Sequence, residues 1–386
     1  MQNQEIIDYL GELVTAQLEN RLPKPVPAEL SPEELERIAV QNQMVYLLLG
    51  GHLKSDLPQE YTERFREKVF KSTLKTLAQV YDANLLSREL EAAGVRHQVL
   101  KGTVLKNIYP SPEFREMGDI DIMIYEESFD KAEEILARLE YEKVQAVKHH
   151  VVFRKPPMLV VEAHWSLYEK SVDKVQYLYY QETFRAVPSA DCNYTYEFSK
   201  EDFYVYMISH MAKHFYENGC GIRNLVDIYV YLKKYTDEMD WKSIGKTLKE
   251  LGIAHFEENV RGLALDWLEN RKLSGFEKKL FTYMLNCGIY GKEENGVIAQ
   301  YAKNTVEKDN SFKSWYYFPK YKHMKELYPW LEGLPWLLPV AWMLRAVRAF
   351  TSKERRKRGK AVIEMDQERI FEIQEIYRKM KLDFYK

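Results

Sequence analysis

The sequence predicts an α+β protein: a small unit of alternating strands and helices, flanked on both sides by helical regions. Three observations carry this reading. Apolar residues repeat with helical spacing up to Gly94, the period then shortens to strand-like alternation through residue 166, and beyond about residue 200 the helical period returns. The expected organisation is an N-terminal helical region (1–93), an α/β domain (94–190) and a C-terminal helical domain (191–386). No Gly/Ser-rich linker separates these parts, so the helical regions are expected to pack against the α/β unit.

In the first region, "SPEELERIAVQNQMVYLLL" opens with Ser31 as N-cap, Pro32 at the first helical position and Glu34 completing a capping box. After Pro58, the residues Phe65, Val69, Phe70, Leu74, Leu77 and Val80 keep helical spacing, and Gly94 is the expected C′ residue. From there "VRHQVL" (95–100) reads as a strand, "TVLKNIY" (103–109) as a short helix and "DIDIMIY" (119–125) as a second strand. "SFDKAEEILARLE" (128–140) is amphipathic, with Ser128 as its expected N-cap. "KVQAV", "VVFRK" and "MLVVEAHWSL" supply three more strands. Helices and strands alternate rather than segregate, which gives an α/β unit of roughly a hundred residues.

Two aspartates, Asp119 and Asp121, interrupt a β-branched and apolar run that otherwise reads as a buried strand. Desolvating a carboxylate is costly unless it is paired or binds a metal. Strand alternation places both on one face and Ile120, Ile122 and Ile124 on the other. Carboxylates at this spacing can ligate divalent cations about 3.5–4 Å apart, as in two-metal phosphoryl-transfer sites. "LVVEAHW" repeats the pattern: Glu162 and His164 share a face, opposite Val161, Ala163 and Trp165. A solvated strand face is the plain alternative for the aspartates. A calcium loop is excluded, because Met123 stands at its fifth position and no Gly follows at the sixth.

Composition narrows the partners. Lys plus Arg number 56 against 58 Asp plus Glu, so the net charge of −2 gives no global reason to expect nucleic acid. Cys192, Cys220 and Cys287 are odd in number and far apart. They form no disulfide framework and suggest a reducing, cytoplasmic setting. The N-terminus lacks a basic segment and carries Glu5 and Asp8, unlike a signal peptide. "LPWLLPVAWML" (334–344) is too short to span a bilayer. Followed by the basic stretch 345–360, it could instead form a weak interfacial membrane patch, the alternative being a solvated charged face. His210 and His214 lie one helical turn apart, a zinc-compatible spacing without a third ligand. His149 and His150 read as exposed turn histidines or substrate contacts.

The segment "VLKGTVLKNIYPSPEFREMGDIDIMI", a helix and then "VVEAHW" resembles the uncharacterised nucleotidyltransferase family of the polymerase-β superfamily. The matching residues are Leu100-Lys101-Gly102, Tyr109-Pro110-Ser111-Pro112 with Arg115, Gly118 to Ile122, and Glu162 to Trp165. The likeness extends into the flanks through "GIRNLVDIYVYL" and "LPWLLPVAW". It implies a polymerase-β-type core, with Asp119, Asp121 and Glu162 holding two Mg²⁺ ions (or Mn²⁺) and acting as the catalytic carboxylates. It also implies transfer of a nucleoside monophosphate from an NTP such as ATP to an unidentified acceptor: a small molecule, a sugar, a protein or RNA.

Gly102 would open the turn where phosphates approach the backbone. Two departures stand out: where the broader superfamily usually has a Gly-Ser turn nearer the aspartates this chain has Lys101-Gly102-Thr103, and Glu140 stands where many relatives have a glycine. Arg115 suits a bidentate phosphate contact, or else a surface ion pair with Glu113 or Glu116. Lys101 is a further phosphate candidate, or a turn lysine in solvent. Lys213, His214, Arg223 and Asp227 sit on helices that could close over the nucleotide, or simply pack. A D-x-D glycosyltransferase and a non-catalytic nucleotide-binding, antitoxin-like module remain the alternatives.

Overall fold

The computed structural model describes residues 4–54, 58–147, 149–170, 173–182, 185–292, 295–298, 301, 312–352, 356, 359–360, 364 and 366–382. The chain divides into two compact units. One comprises residues 1–213 and 220–289 with the extreme C-terminus from 382; the other comprises 214–219 and 290–381. The borders at 94 and 191 expected from the sequence both fall inside the first unit.

The first unit is built on a seven-stranded mixed sheet, so the fold is α+β. Its strands are β1 (His97–Val99), β2 (Ile120–Ile124), β3 (Glu142–Val147), β4 (His150–Lys155), β5 (Leu159–His164), β6 (Val187–Pro188) and β7 (Thr195–Glu197). They lie in the order β3-β4-β5-β2-β1-β7-β6. The sequence pattern does not predict β6 and β7; two and three residues are too few to display a period of two. Strand β2 lies between β1, antiparallel to it, and β5, parallel to it.

The helices of this unit include α1 (Gln4–Leu18), α2 (Pro32–Gln41), α3 (Val45–Leu49), α4 (Gln59–Ala92), α5 (Lys101–Lys106), α6 (Phe129–Arg138) and α7 (Lys174–Tyr177). They continue with α8 (Lys200–Asn218, whose last turn belongs to the second unit), α9 (Arg223–Tyr235), α10 (Trp241–Glu250), α11 (Ala254–Leu268) and α12 (Gly275–Cys287).

One face of the sheet is dry. Ile120, Ile122 and Ile124 are buried there with Val161 and Ala163 of β5 and Val151 and Phe153 of β4. Two helices cover them: α4, through Ala83, Leu86 and Leu90, and α6, through Ala132, Ile135 and Leu136. Each isoleucine contributes about 1.5–3 kcal/mol by this burial. The alternation that buries these residues forces Asp121, Glu162 and His164 onto the opposite face.

The helix caps follow the sequence in part. Ser31 Oγ accepts from the Glu34 amide at 3.2 Å, but Glu34 turns to Arg37 rather than closing the reciprocal half of a capping box. Ser128 makes no side-chain cap. Helix α4 ends through Gly94 at φ +71°. Glu140 adopts φ +66°, a left-handed conformation that favours glycine.

The second unit contains the helices Phe312–Tyr317, Tyr321–Leu327, Leu338–Thr351 and Gln367–Met380. Met324, Tyr328, Leu331 and Ala341 form a small core within it. Trp336, Val340, Met343, Leu344 and Val347 are exposed. Part of the basic stretch 345–360 lies outside the described residues. Among the described residues no helix is long and apolar enough to cross a membrane.

Candidate functional site

The parallel pairing of β2 and β5 sets Asp121 directly opposite Glu162, and Met123 opposite His164. The antiparallel pairing of β4 and β5 adds His150 opposite His164. Residues paired in register share a face, so two carboxylates and two imidazoles meet on the side away from the core. His164 Nε2 lies 3.1 Å from Asp121 Oδ1 and 3.7 Å from Glu162 Oε2. His150 Nε2 lies 3.7 Å from Glu162 Oε2. The backbone is pinned from both sides: the Leu100 amide donates to Asp121 O at 3.0 Å, and the Trp165 amide to His149 O at 3.2 Å.

Asp119 stands just ahead of β2, where the pleat no longer dictates side-chain direction. Among the described residues, one donor atom each from Asp121, Glu162 and His164 converge within 4.8 Å, and Asp119 is not in that set. Its carboxyl nevertheless feels the charges of that set. Burial, then the charges of Asp121 and Glu162, push the Asp119 carboxyl up to about 7. Burial and Asp121 likewise raise Glu162. Asp121 and Glu162 thus offer hard oxygen donors of the kind Mg²⁺ or Mn²⁺ takes, with the Asp119 carboxyl repelled by both from nearby.

His149 and His150 differ from the exposed turn residues expected. Both are partly buried, and with His164 they form a second converging group. Burial depresses both imidazoles to about 4; for His149 the Lys213 ammonium is the next cause. The sequence signal that could have found them is the β4–β5 hairpin itself, whose register makes His150 the partner of His164.

A second polar centre lies at α9. Asp227 is fully buried and accepts from Arg115 Nε at 3.1 Å and Nη2 at 3.0 Å, and from the Tyr109 hydroxyl at 2.8 Å. Burial opposes the Asp227 carboxylate, but Arg115, joined by Arg223 and Lys101, outweighs it, and its pKa falls below the usual range. The guanidinium of Arg115 is therefore committed to a buried pair rather than to Glu113 or Glu116 at the surface. Arg223 donates to Gln43 and, at 2.7 Å, to Glu116 O, next to the loop that leads into β2. Gln79 Nε2 of α4 holds the same loop through Met117 O at 3.1 Å.

Lys101 is buried rather than in solvent. Its Nζ lies 3.2 Å from His210 Nδ1 and 3.4 Å from Asn224 Oδ1, and burial lowers it to about 8. It opens α5. Gly102 follows: a Cβ there would sit 2.9 Å from Met117 Sδ and 3.3 Å from Arg115 Nη1, so any larger residue would make the Met117 side chain shift. Lys106, not singled out from the sequence, is fully buried with Nζ 3.2 Å from Thr76 Oγ1. Burial, then Arg115 and Arg223, lower it to about 7.

Lys213 pairs with Asp173 at 3.4 Å and lies 5.5 Å from the Tyr168 ring centre. His214 is exposed and belongs to the second unit. Among the described residues, His210 and His214 join no converging group of ligand atoms.

A family model described as "Uncharacterised nucleotidyltransferase" matches residues 28–269. No curated protein matches the chain. Among solved structures, the chain is similar to an antigenic nucleotidyltransferase-like protein from Paracoccidioides brasiliensis, at 15% identity and a TM-score of 0.33. That match covers 51% of this chain and 94% of the other.

Proposed function

We propose, from the premise that the chain belongs to the uncharacterised nucleotidyltransferase family, that it transfers a nucleoside monophosphate from an NTP to a hydroxyl acceptor. The observation that carries this reading is the register of two parallel strands: Asp121 and Glu162 face each other across β2 and β5, with Asp119 electrostatically tied to both. Asp119, Asp121 and Glu162 would hold Mg²⁺ or Mn²⁺. A bound divalent ion supplies neutralisation of the triphosphate charge and a more acidic acceptor hydroxyl.

The chain's own groups perform the rest. His164 donates from Nε2 to Asp121 and fixes that carboxylate's orientation. The dry isoleucine face behind β2 keeps the strand from yielding when the carboxylates are drawn together. Of the cations, Arg223 is felt at Asp119, and Lys213 at His149 and His150. We assign these two to the phosphate-facing side, and Lys101 with Gly102 to the turn beneath it. Arg115 becomes a positioning residue, because it ties the segment before β2 to α9 through Asp227.

Incubating the protein with each radiolabelled NTP, Mg²⁺ and a host extract tests the reading. The expected result is a labelled acceptor together with pyrophosphate. Release of a nucleoside diphosphate from an added nucleotide-sugar, with no label transferred from any NTP, would favour the glycosyltransferase reading, and absence of both label and NTP binding a non-catalytic module.

A further inference from the structure

We propose that His149, His150 and His164 bind a zinc-class transition-metal ion, at a site chemically distinct from the carboxylate set beside it. The first support is spacing. The ring centres lie 4.8 Å apart for His149 and His150, 4.9 Å for His150 and His164, and 5.9 Å for His149 and His164. Three imidazoles around a tetrahedral ion, with metal–nitrogen bonds of about 2.0–2.1 Å, have ring centres about 5 Å apart. One ring nitrogen from each already lies within 4.8 Å of the other two.

The second support is an unmet need. Nδ1 of all three histidines is buried and has no hydrogen-bond partner among the described residues. A buried polar atom left unsatisfied costs about 1–3 kcal/mol, and three in one place call for a common occupant. The third support is the tautomer. Asp121 sits 3.1 Å from Nε2 of His164, and Glu162 3.7 Å from Nε2 of His150. A carboxylate only accepts, so at His164 the proton resides on Nε2 and the lone pair on Nδ1, while the longer His150–Glu162 separation is an electrostatic contact beyond hydrogen-bond length. Ligand histidines are ordinarily oriented this way by a carboxylate behind them.

The donor chemistry selects the ion. Imidazole suits zinc and its transition-metal neighbours, whereas Mg²⁺ takes oxygen ligands. Three protein ligands leave one coordination position for water or a substrate group. The ammonium of Lys213, which the histidines feel, is offset by Asp173, 1% exposed, at 3.4 Å. The inference goes beyond the nucleotidyl-transfer reading and does not depend on it.

The test uses the full-length, chelator-stripped protein, titrated with Zn²⁺ by calorimetry and with Co²⁺ by visible absorption. The parent should bind one Zn²⁺. His149→Gln and His150→Gln should each weaken binding more than about 100-fold, since losing a second-shell partner alone costs 10–100-fold. Asp121→Asn keeps an acceptor for His164 Nε2 and should retain Zn²⁺ within about tenfold. No Zn²⁺ binding by the parent, unchanged binding by His149→Gln, or loss confined to Asp121→Asn would each overturn the proposal. If the histidine variants do not fold, the parent's Co²⁺ spectrum decides: an intense tetrahedral band supports the site, and the weak band of octahedral oxygen coordination refutes it. Stabilisation by Mg²⁺-NTP is read separately, so a failed nucleotide reading leaves the zinc result interpretable.

Discussion

Replacing Asp227 by Ala strands a guanidinium inside the protein. Arg115 is 2% exposed and Asp227 0%, so neither has bulk water to fall back on. The variant loses both charge-assisted bonds from Arg115 and the acceptor of the Tyr109 hydroxyl. Breaking a buried pair by removing one partner costs about 3–5 kcal/mol, most of it the uncompensated charge left behind. Urea denaturation, followed by circular dichroism with unchanged slope, should show that loss as a shift in midpoint.

The double variant Arg115→Met/Asp227→Leu removes both charges and should recover most of the stability, because an apolar pair of similar volume is often neutral or better. Arg115→Lys should behave like a mild version of Asp227→Ala, since an ammonium cannot reproduce the bidentate fork. A loss below about 1 kcal/mol for Asp227→Ala would mean that Arg115 reaches water or a second anion. A double variant no better than the single one would show that geometry, not desolvated charge, governs the site.

Asp121→Asn should abolish stabilisation by Mg²⁺-NTP in thermal melts while folding as well as the parent without metal; an unfolded variant would make Asp121 a structural residue instead. Lys106, lowered from 10.5 to about 7 chiefly by burial, penalises folding fully below pH 7, and that penalty fades as pH rises toward 10.5. Lys106→Met should therefore flatten the stability–pH curve between pH 7 and 10.5, and an unaltered slope in urea titrations would refute a buried, titrating amine. Lys213→Ala should cost about 1–3 kcal/mol because it leaves the buried Asp173 carboxylate unpaired; an unchanged melting temperature with weakened NTP binding would put the lysine on the substrate alone. The exposed row Trp336, Val340, Met343 and Val347, beside the basic stretch, should bring the protein down with anionic liposomes at low salt and release it as salt rises. No co-sedimentation at low salt would assign that face elsewhere.

The site's skeleton is legible in the sequence because polar residues intrude into strands whose other positions are apolar. Ile120, Ile122 and Ile124 announce the dry face, and alternation then fixes where Asp121, Glu162 and His164 have to point. What alternation cannot reveal is pairing between strands. That is why His149 and His150 read as turn residues until β4 folds back on β5. Arg115 eludes a local reading for a related reason: its partner Asp227 lies 112 residues away on a helix, beyond any short-range pattern. Asp119 shows the opposite limit. Its spacing from Asp121 suggests a shared face, yet it precedes the strand and escapes the pleat.

The two halves of the functional face are assembled by contacts of very different range. His150 and His164 meet across a hairpin whose turn is a handful of residues, a closure of low entropic cost. Asp121 meets Glu162 only when β2 and β5 pair in parallel across the intervening helix and hairpin, a slower, non-local closure. The imidazole pair therefore depends on the hairpin alone, whereas the carboxylate pair depends on closure of the wider sheet.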